Sequence, residues 1–152
     1  GNNVLHDLAL GSARLGMHVN IATPVGYEMN ADILQKCKNI AAEENATIQT
    51  TTVAAEAVQN AHVVVTDTWV SMGQEEEQKV REAAFSGFQV TSEMMKIAAK
   101  DALFMHCLPA QRDIEVTDAV MESPASIVFD EAENRMHVQN AIMLFLTGNY
   151  LT

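Results

Sequence analysis

The sequence predicts an α/β protein with a mostly parallel sheet and helices on both faces. Helical and strand patterns alternate along the 152 residues, which is the arrangement that builds βαβ units. One run, His62-Val63-Val64-Val65-Thr66, is β-branched from Val63 onward, as strands buried in parallel sheets tend to be. The length suits one domain, large enough to bury about 70% of its unfolded surface.

Taken in order, Val4, Leu5, Leu8, Ala9 and Leu15 recur at helical spacing, with Asn2 or Asn3 able to cap the start. Residues 17–22 read as a short strand ended by Thr23-Pro24 and a turn at Gly26. Over 31–44, Ile33, Leu34, Cys37, Ile40 and Ala41 mark one helical face. Residues 47–52 read as a Thr-rich strand, 54–58 as a short helix and 62–66 as the buried strand. Helices are predicted over 74–84 and 92–99, and strands over 103–106 and 126–129. A helix over 132–147 closes the chain, ended by Gly148. Open parallel sheets bind ligands beyond the carboxyl ends of their strands. The segments to search therefore follow Thr66, His106 and Phe129, with Gly1-Asn2-Asn3 as a fourth if a strand precedes it.

Composition narrows the function classes. The formal charge is -11 with nine basic residues, spread too thinly for a phosphate-backbone footprint, which argues against nucleic acid as a partner. No apolar run approaches the roughly 20 residues that span a bilayer, so no membrane partner is expected. The N-terminus has no basic-then-apolar secretory pattern. Two cysteines, Cys37 and Cys107, are too few for a disulfide framework and point to a reducing, cytoplasmic compartment.

Three constellations carry chemistry. In Asp67-Thr68-Trp69-Val70-Ser71-Met72-Gly73, a carboxylate at a strand end can hold an ammonium, and the turn can aim N–H groups at a carboxylate. Asp67 as a loop cap and Trp69 as core filler is the structural alternative. In His106-Cys107-Leu108-Pro109, the cysteine is a nucleophile, a ligand or an inert thiol. Adjacent residues on an extended segment point to opposite sides, so His106 is badly placed as its base. No Cys/His spacing resembles a zinc site, and no metal is expected. In Glu131-Ala132-Glu133-Asn134-Arg135, the acids complement a helix start. Arg135 is a cation there, suited to an anion such as phosphate or to a surface salt bridge. Gly1-Asn2-Asn3 lacks the Gly-x-Gly-x-x-Gly pattern, so no nicotinamide cofactor, and no other cofactor, is expected.

Together these segments and Gly1-Asn2-Asn3 resemble, in order and spacing, the second-domain motifs of ornithine carbamoyltransferases, over nearly the whole chain. Ser71-Met72-Gly73 is similar to the ornithine-specific version of its loop. The resemblance implies a Rossmann-like domain over residues 1–152 that binds L-ornithine, with its first strand missing and the carbamoyl-phosphate-binding domain absent. It implies that Asn3 and Asp67 bind the α-amino end of ornithine, with Ser71 and Met72 supporting the carboxylate. Cys107 and Asp67 would lie near the attacking side-chain amine. His106, Cys107, Leu108 and Arg135 would surround the carbamoyl group, with Arg135 facing the phosphoryl ester. The catalytic set so implied is Cys107, Asp67, His106 and Arg135.

The parent would carbamoylate ornithine to citrulline as a homotrimer, whereas the chain as given would be silent without the other domain's phosphate loop. The run from Ala141 to Leu146 would pack partly on that domain. A non-catalytic amino-acid-binding or regulatory module of the same fold is the alternative, and a carbamoyltransferase of another amine is a third reading.

Overall fold

Strand pairing, set by β-branched runs, organises the molecule. The structure is a computed structural model and describes residues 1–70 and 77–148. Helix α1 (Asn3–Arg14) is capped by Asn2, whose side chain accepts the Leu5 N–H, satisfying one orphan donor of the first turn. Strand β1 (Val19–Ala22) follows, then α2 (Ala31–Glu43), capped by Asn30, and β2 (Ile48–Thr51). The pair β1–β2 is parallel, from Val19 opposite Ile48 to Ala22 opposite Thr51. Helix α3 (Ala54–Val58) leads to β3 (Val63–Thr66). Helices α4 (Gln78–Ala84) and α5 (Ser92–Met95) precede β4 (Leu103–His106). Strands β3 and β4 are also parallel, with Thr66 opposite His106. Helices α6 (Asp118–Met121) and α7 (Val128–Leu146) complete the order.

Two apolar cores result. Ala9, Ala13, Ile21, Cys37, Ile40 and Ile48 join α1 and α2 to the first sheet. Val64, Phe104, Val116, Val120 and Val128 join β3, β4 and the later helices into the second. Phe104 is fully buried there. Phe104→Ala is expected to cost about 3–5 kcal/mol, the range for deleting a buried aromatic ring. Urea unfolding monitored by circular dichroism checks this, and a loss below about 1 kcal/mol would remove Phe104 from the core.

The sheet differs from the predicted one in continuity. The described strands form two separate two-stranded parallel sheets. A cavity of about 750 Å³ borders β1 at Asn20 and Ala22 and β3 at Val63 and Val65. Gly1 lies against Met29 beyond β1, so closely that a Cβ at Gly1 would come within 2.5 Å of the Met29 Cα. Asn2 bonds Asp67 beyond β3.

Three elements correct the sequence reading. Residues 126–129 do not form a strand. Ser126 makes an isolated parallel bridge to Phe104, using two bonds: Phe104 N–H to Ala125 O and Ile127 N–H to Phe104 O. The chain then turns into α7 at Val128, because burying Val128 as a helical residue leaves Phe129 facing solvent. Helix α5 stops at Met95 rather than 99, and α6 arises where no helix was predicted. Of the predicted helix over 74–84, the described part is α4. Helix α7 leaves Met136, Val138, Ile142, Phe145 and Leu146 exposed. Among the described residues no helix is long and apolar enough to cross a membrane.

Candidate active site

The ladder between β3 and β4 builds the site. Thr66 and His106 are paired, so the next residue on each strand, Asp67 and Cys107, emerge side by side at the carboxyl ends. The Cys107 thiol donates to Asp67 Oδ1 across 3.1 Å, although the two residues lie 40 apart in sequence. Asp67 Oδ1 also accepts the Thr68 N–H at 2.7 Å, and its Oδ2 accepts the Asn2 side-chain amide at 2.5 Å. Asn2 thus caps α1 with its oxygen and steadies Asp67 with its nitrogen. Sequence reasoning weighed Asn2 only as a cap. Nothing local in the sequence signals its reach to Asp67.

Glu131, in the first turn of α7, accepts the His106 N–H at 3.0 Å and lines the same cavity as Asp67 and Cys107. The sequence reading gave Glu131 a helix-dipole role alone, so its place at the site is an addition. Arg81, which lines the same cavity, donates to the Trp69 carbonyl at 3.4 Å and to Glu77. Its guanidinium stands 5.4 Å over the Tyr27 ring, a cation–π geometry. Trp69 stacks on Phe85, and Tyr27 meets Phe85 edge-on. The cavity lining therefore combines the aromatic rings of Tyr27, Trp69 and Phe85 and the Arg81 cation with the carboxylates of Glu28, Asp67 and Glu131.

The electrostatics of Cys107 follow. Although the residue reaches solvent, partial burial of the thiol, then its bond to Asp67 and the charges of Asp67 and Glu131, push its pKa up to about 12. Negative neighbours disfavour a thiolate, so the thiol stays protonated at neutral pH and serves as a donor to Asp67. That is the opposite of the electropositive setting that activates a nucleophilic cysteine.

Asp67, His106 and Cys107 each offer a ligand atom within 4.8 Å of one another. Yet His106 Nδ1 already accepts the Leu108 N–H, and Nε2 already faces Glu115. A metal would have to displace one of these bonds, and the two remaining donors fall short of a zinc set.

The other predicted residues scatter. Asn3 lines the cavity as the first residue of α1. Leu108 follows Cys107 with a positive φ of 53° and a cis bond to Pro109. His106 is fully buried and is not among the residues that line the cavity. Arg135 is exposed and also outside the cavity lining. Because α7 begins at Val128, Arg135 lies about two turns in, and the argument from a cation at a helix start does not hold for it. Ser71 and Met72 lie outside the described residues.

The chain is similar to known carbamoyltransferases. The family described as aspartate/ornithine carbamoyltransferase, Asp/Orn binding domain, matches residues 1–146. The ornithine carbamoyltransferase of Caldicellulosiruptor saccharolyticus is 50% identical over 146 residues, 96% of this chain and 47% of its own length. The solved ornithine carbamoyltransferase from Pyrococcus furiosus superposes with a TM-score of 0.93 at 43% identity, covering 99% of this chain and 48% of that one. An N-acetyl-L-ornithine transcarbamylase structure is 32% identical with a TM-score of 0.80, covering 91% of this chain and 43% of that one. The chain thus spans about half the length of the relatives it matches. With the paired strand ends, the Asp67–Cys107 contact and a match over residues 1–146, the chain belongs to the aspartate/ornithine carbamoyltransferase family, as its Asp/Orn-binding domain.

Proposed function

We propose that this domain is the ornithine-binding half of an ornithine carbamoyltransferase, which transfers the carbamoyl group of carbamoyl phosphate to the side-chain amine of L-ornithine. The products are L-citrulline and phosphate. The observation that carries the reading is the protonated Cys107 thiol bonded to Asp67 at adjacent strand ends, with Glu131 beside them. A diamino acid brings two ammonium groups, and the carboxylates of this cavity suit them.

An alkyl amine such as that of lysine has a pKa of about 10.4 and must lose a proton before it attacks. The neutral nitrogen then bonds the carbamoyl carbon as the carbon–oxygen bond to phosphate breaks. Asp67 and Asn3 hold the α-amino end, and Cys107 positions Asp67 and the reacting amine without a covalent adduct. Leu108 and Arg135 face the carbamoyl phosphate delivered by the other domain, and Ser71 and Met72 support the ornithine carboxylate. The parent acts as a homotrimer in the cytoplasm.

The test is citrulline formation by the full-length parent, assayed beside N-acetylornithine, putrescine and aspartate. Ornithine is expected to be preferred. Preference for N-acetylornithine would move the assignment to that relative's substrate, and no activity in a folded parent would favour a binding module. Cys107→Ser is expected to weaken ornithine binding and turnover by roughly ten-fold, because the shorter hydroxyl loosens a hydrogen bond to a charged group. Complete loss, together with a trapped covalent adduct in the wild type, would establish nucleophilic catalysis instead.

A further inference from the structure

Beneath the cavity lies a polar pair that the reaction does not consume. His106 and Glu115 are both fully buried, and Glu115 Oε1 lies 3.1 Å from His106 Nε2. The same oxygen accepts the Gln111 N–H at 2.6 Å. On the far side of the ring, His106 Nδ1 accepts the Leu108 N–H at 2.9 Å. A ring nitrogen that accepts carries no proton. This network therefore places the proton on Nε2, which donates to Glu115. Glu115 Oε2 has no partner among the described residues, so the carboxylate's bonding rests on one oxygen.

For stability alone this is a poor arrangement, because a buried acid with an orphan oxygen carries a desolvation cost that apolar side chains avoid. Its location gives it another use. The pair sits under the loop that carries Cys107, and its backbone bonds go to Leu108 and Gln111. Leu108 has a φ of 53°, a left-handed conformation that a leucine adopts only when its surroundings hold it there. From the other side, Glu131 takes the N–H of His106 itself. Cys107 therefore lies between two peptide groups that are each fixed by a side chain.

We propose that His106 is a positioning residue whose tautomer Glu115 sets. The bare Nδ1 holds the Leu108 N–H, and with it the Cys107–Leu108 segment that aims the thiol at Asp67. The pair's functional consequence rests on the carbamoyltransferase reading above; its tautomer does not.

Two substitutions in the full-length parent separate positioning from packing. His106→Asn places an oxygen near the site of Nδ1, able to accept from Leu108, but does not reach Glu115. His106→Gln reaches Glu115 with its amide nitrogen but offers Leu108 no acceptor. A merely structural role ranks the glutamine variant higher in both melting temperature and turnover. Positioning crosses the rankings. The asparagine variant is expected to melt lower yet keep the higher kcat, while His106→Gln loses about 100-fold in kcat, the cost of an ångström-scale misplacement. A kcat order that simply follows stability overturns the proposal.

Nitrogen NMR of the histidine rings in the wild-type full-length parent provides a second measurement that needs no variant to fold. His106 is expected to show a protonated Nε2 and a bare Nδ1, and the reverse tautomer overturns the proposal. If the wild-type parent makes no citrulline, the carbamoyltransferase reading fails, and the NMR result still decides the tautomer and its bond to Leu108.

Discussion

Iodoacetamide is expected to alkylate Cys107 about a thousand-fold more slowly than an unperturbed thiol at pH 8, and Asp67→Asn is expected to recover part of that rate. The thiol's pKa is pushed from an ordinary 9.0 up to about 12. At pH 8 that lowers the thiolate fraction from roughly a tenth to roughly one part in ten thousand, and only the thiolate reacts. The sign is fixed by the causes. Burial, the bond to Asp67 and two negative charges all favour the protonated form. Asp67→Asn removes one charge and weakens one bond, so the pKa falls and the rate at fixed pH rises. Burial and Glu131 remain, so recovery is incomplete. Cys37 is buried and its thiol is likewise shifted upward, burial being the main cause, so peptide mapping by mass spectrometry must resolve the two sites. Rapid labelling of Cys107 at pH 8 that ignores Asp67→Asn would contradict the electrostatics described here.

The same substitution in the full-length parent is expected to lower kcat/KM for ornithine by two to three orders of magnitude. Removing one charge from a desolvated, hydrogen-bonded ion pair costs about 2–5 kcal/mol, which is about 30-fold to several thousand-fold. Asparagine is close in shape to aspartate and keeps an oxygen able to accept the Thr68 N–H that now bonds Asp67 at 2.7 Å, so the fold should persist. Circular dichroism and the melting temperature check that. Steady-state kinetics at saturating carbamoyl phosphate then read the charge. Unchanged kinetics in a folded variant would remove Asp67 from the ornithine site.

Much of this was legible in the residues. The β-branched run at 63–66, the cap before α1 and the strand at 103–106 are local signals, because propensity and periodicity act within a few residues. Asp67 and Cys107 were identified because each directly follows such a strand. Glu115 was not singled out, although a lone acid between Ile114 and Val116 is the sort of signal that a buried carboxylate leaves. The strand expected at 126–129 failed for a different reason. A four-residue apolar run does not say whether Val128 is buried by a ladder or by a helix, and only the position of Phe104 decides.

The sequence by itself determined the alternation of elements, the parallel class of the sheet and the two strand ends where the chemistry gathers, since these depend on near neighbours along the chain. Tertiary structure alone decided the contacts between distant segments. The register that sets Thr66 opposite His106 brings Asp67 to Cys107. Docking of α1 brings Asn2 to Asp67, and docking of α7 brings Glu131 to the His106 backbone. It also turned the His106 ring away from the cavity and onto Glu115. Such pairings are paid for by the packing of whole elements, so no local pattern encodes them.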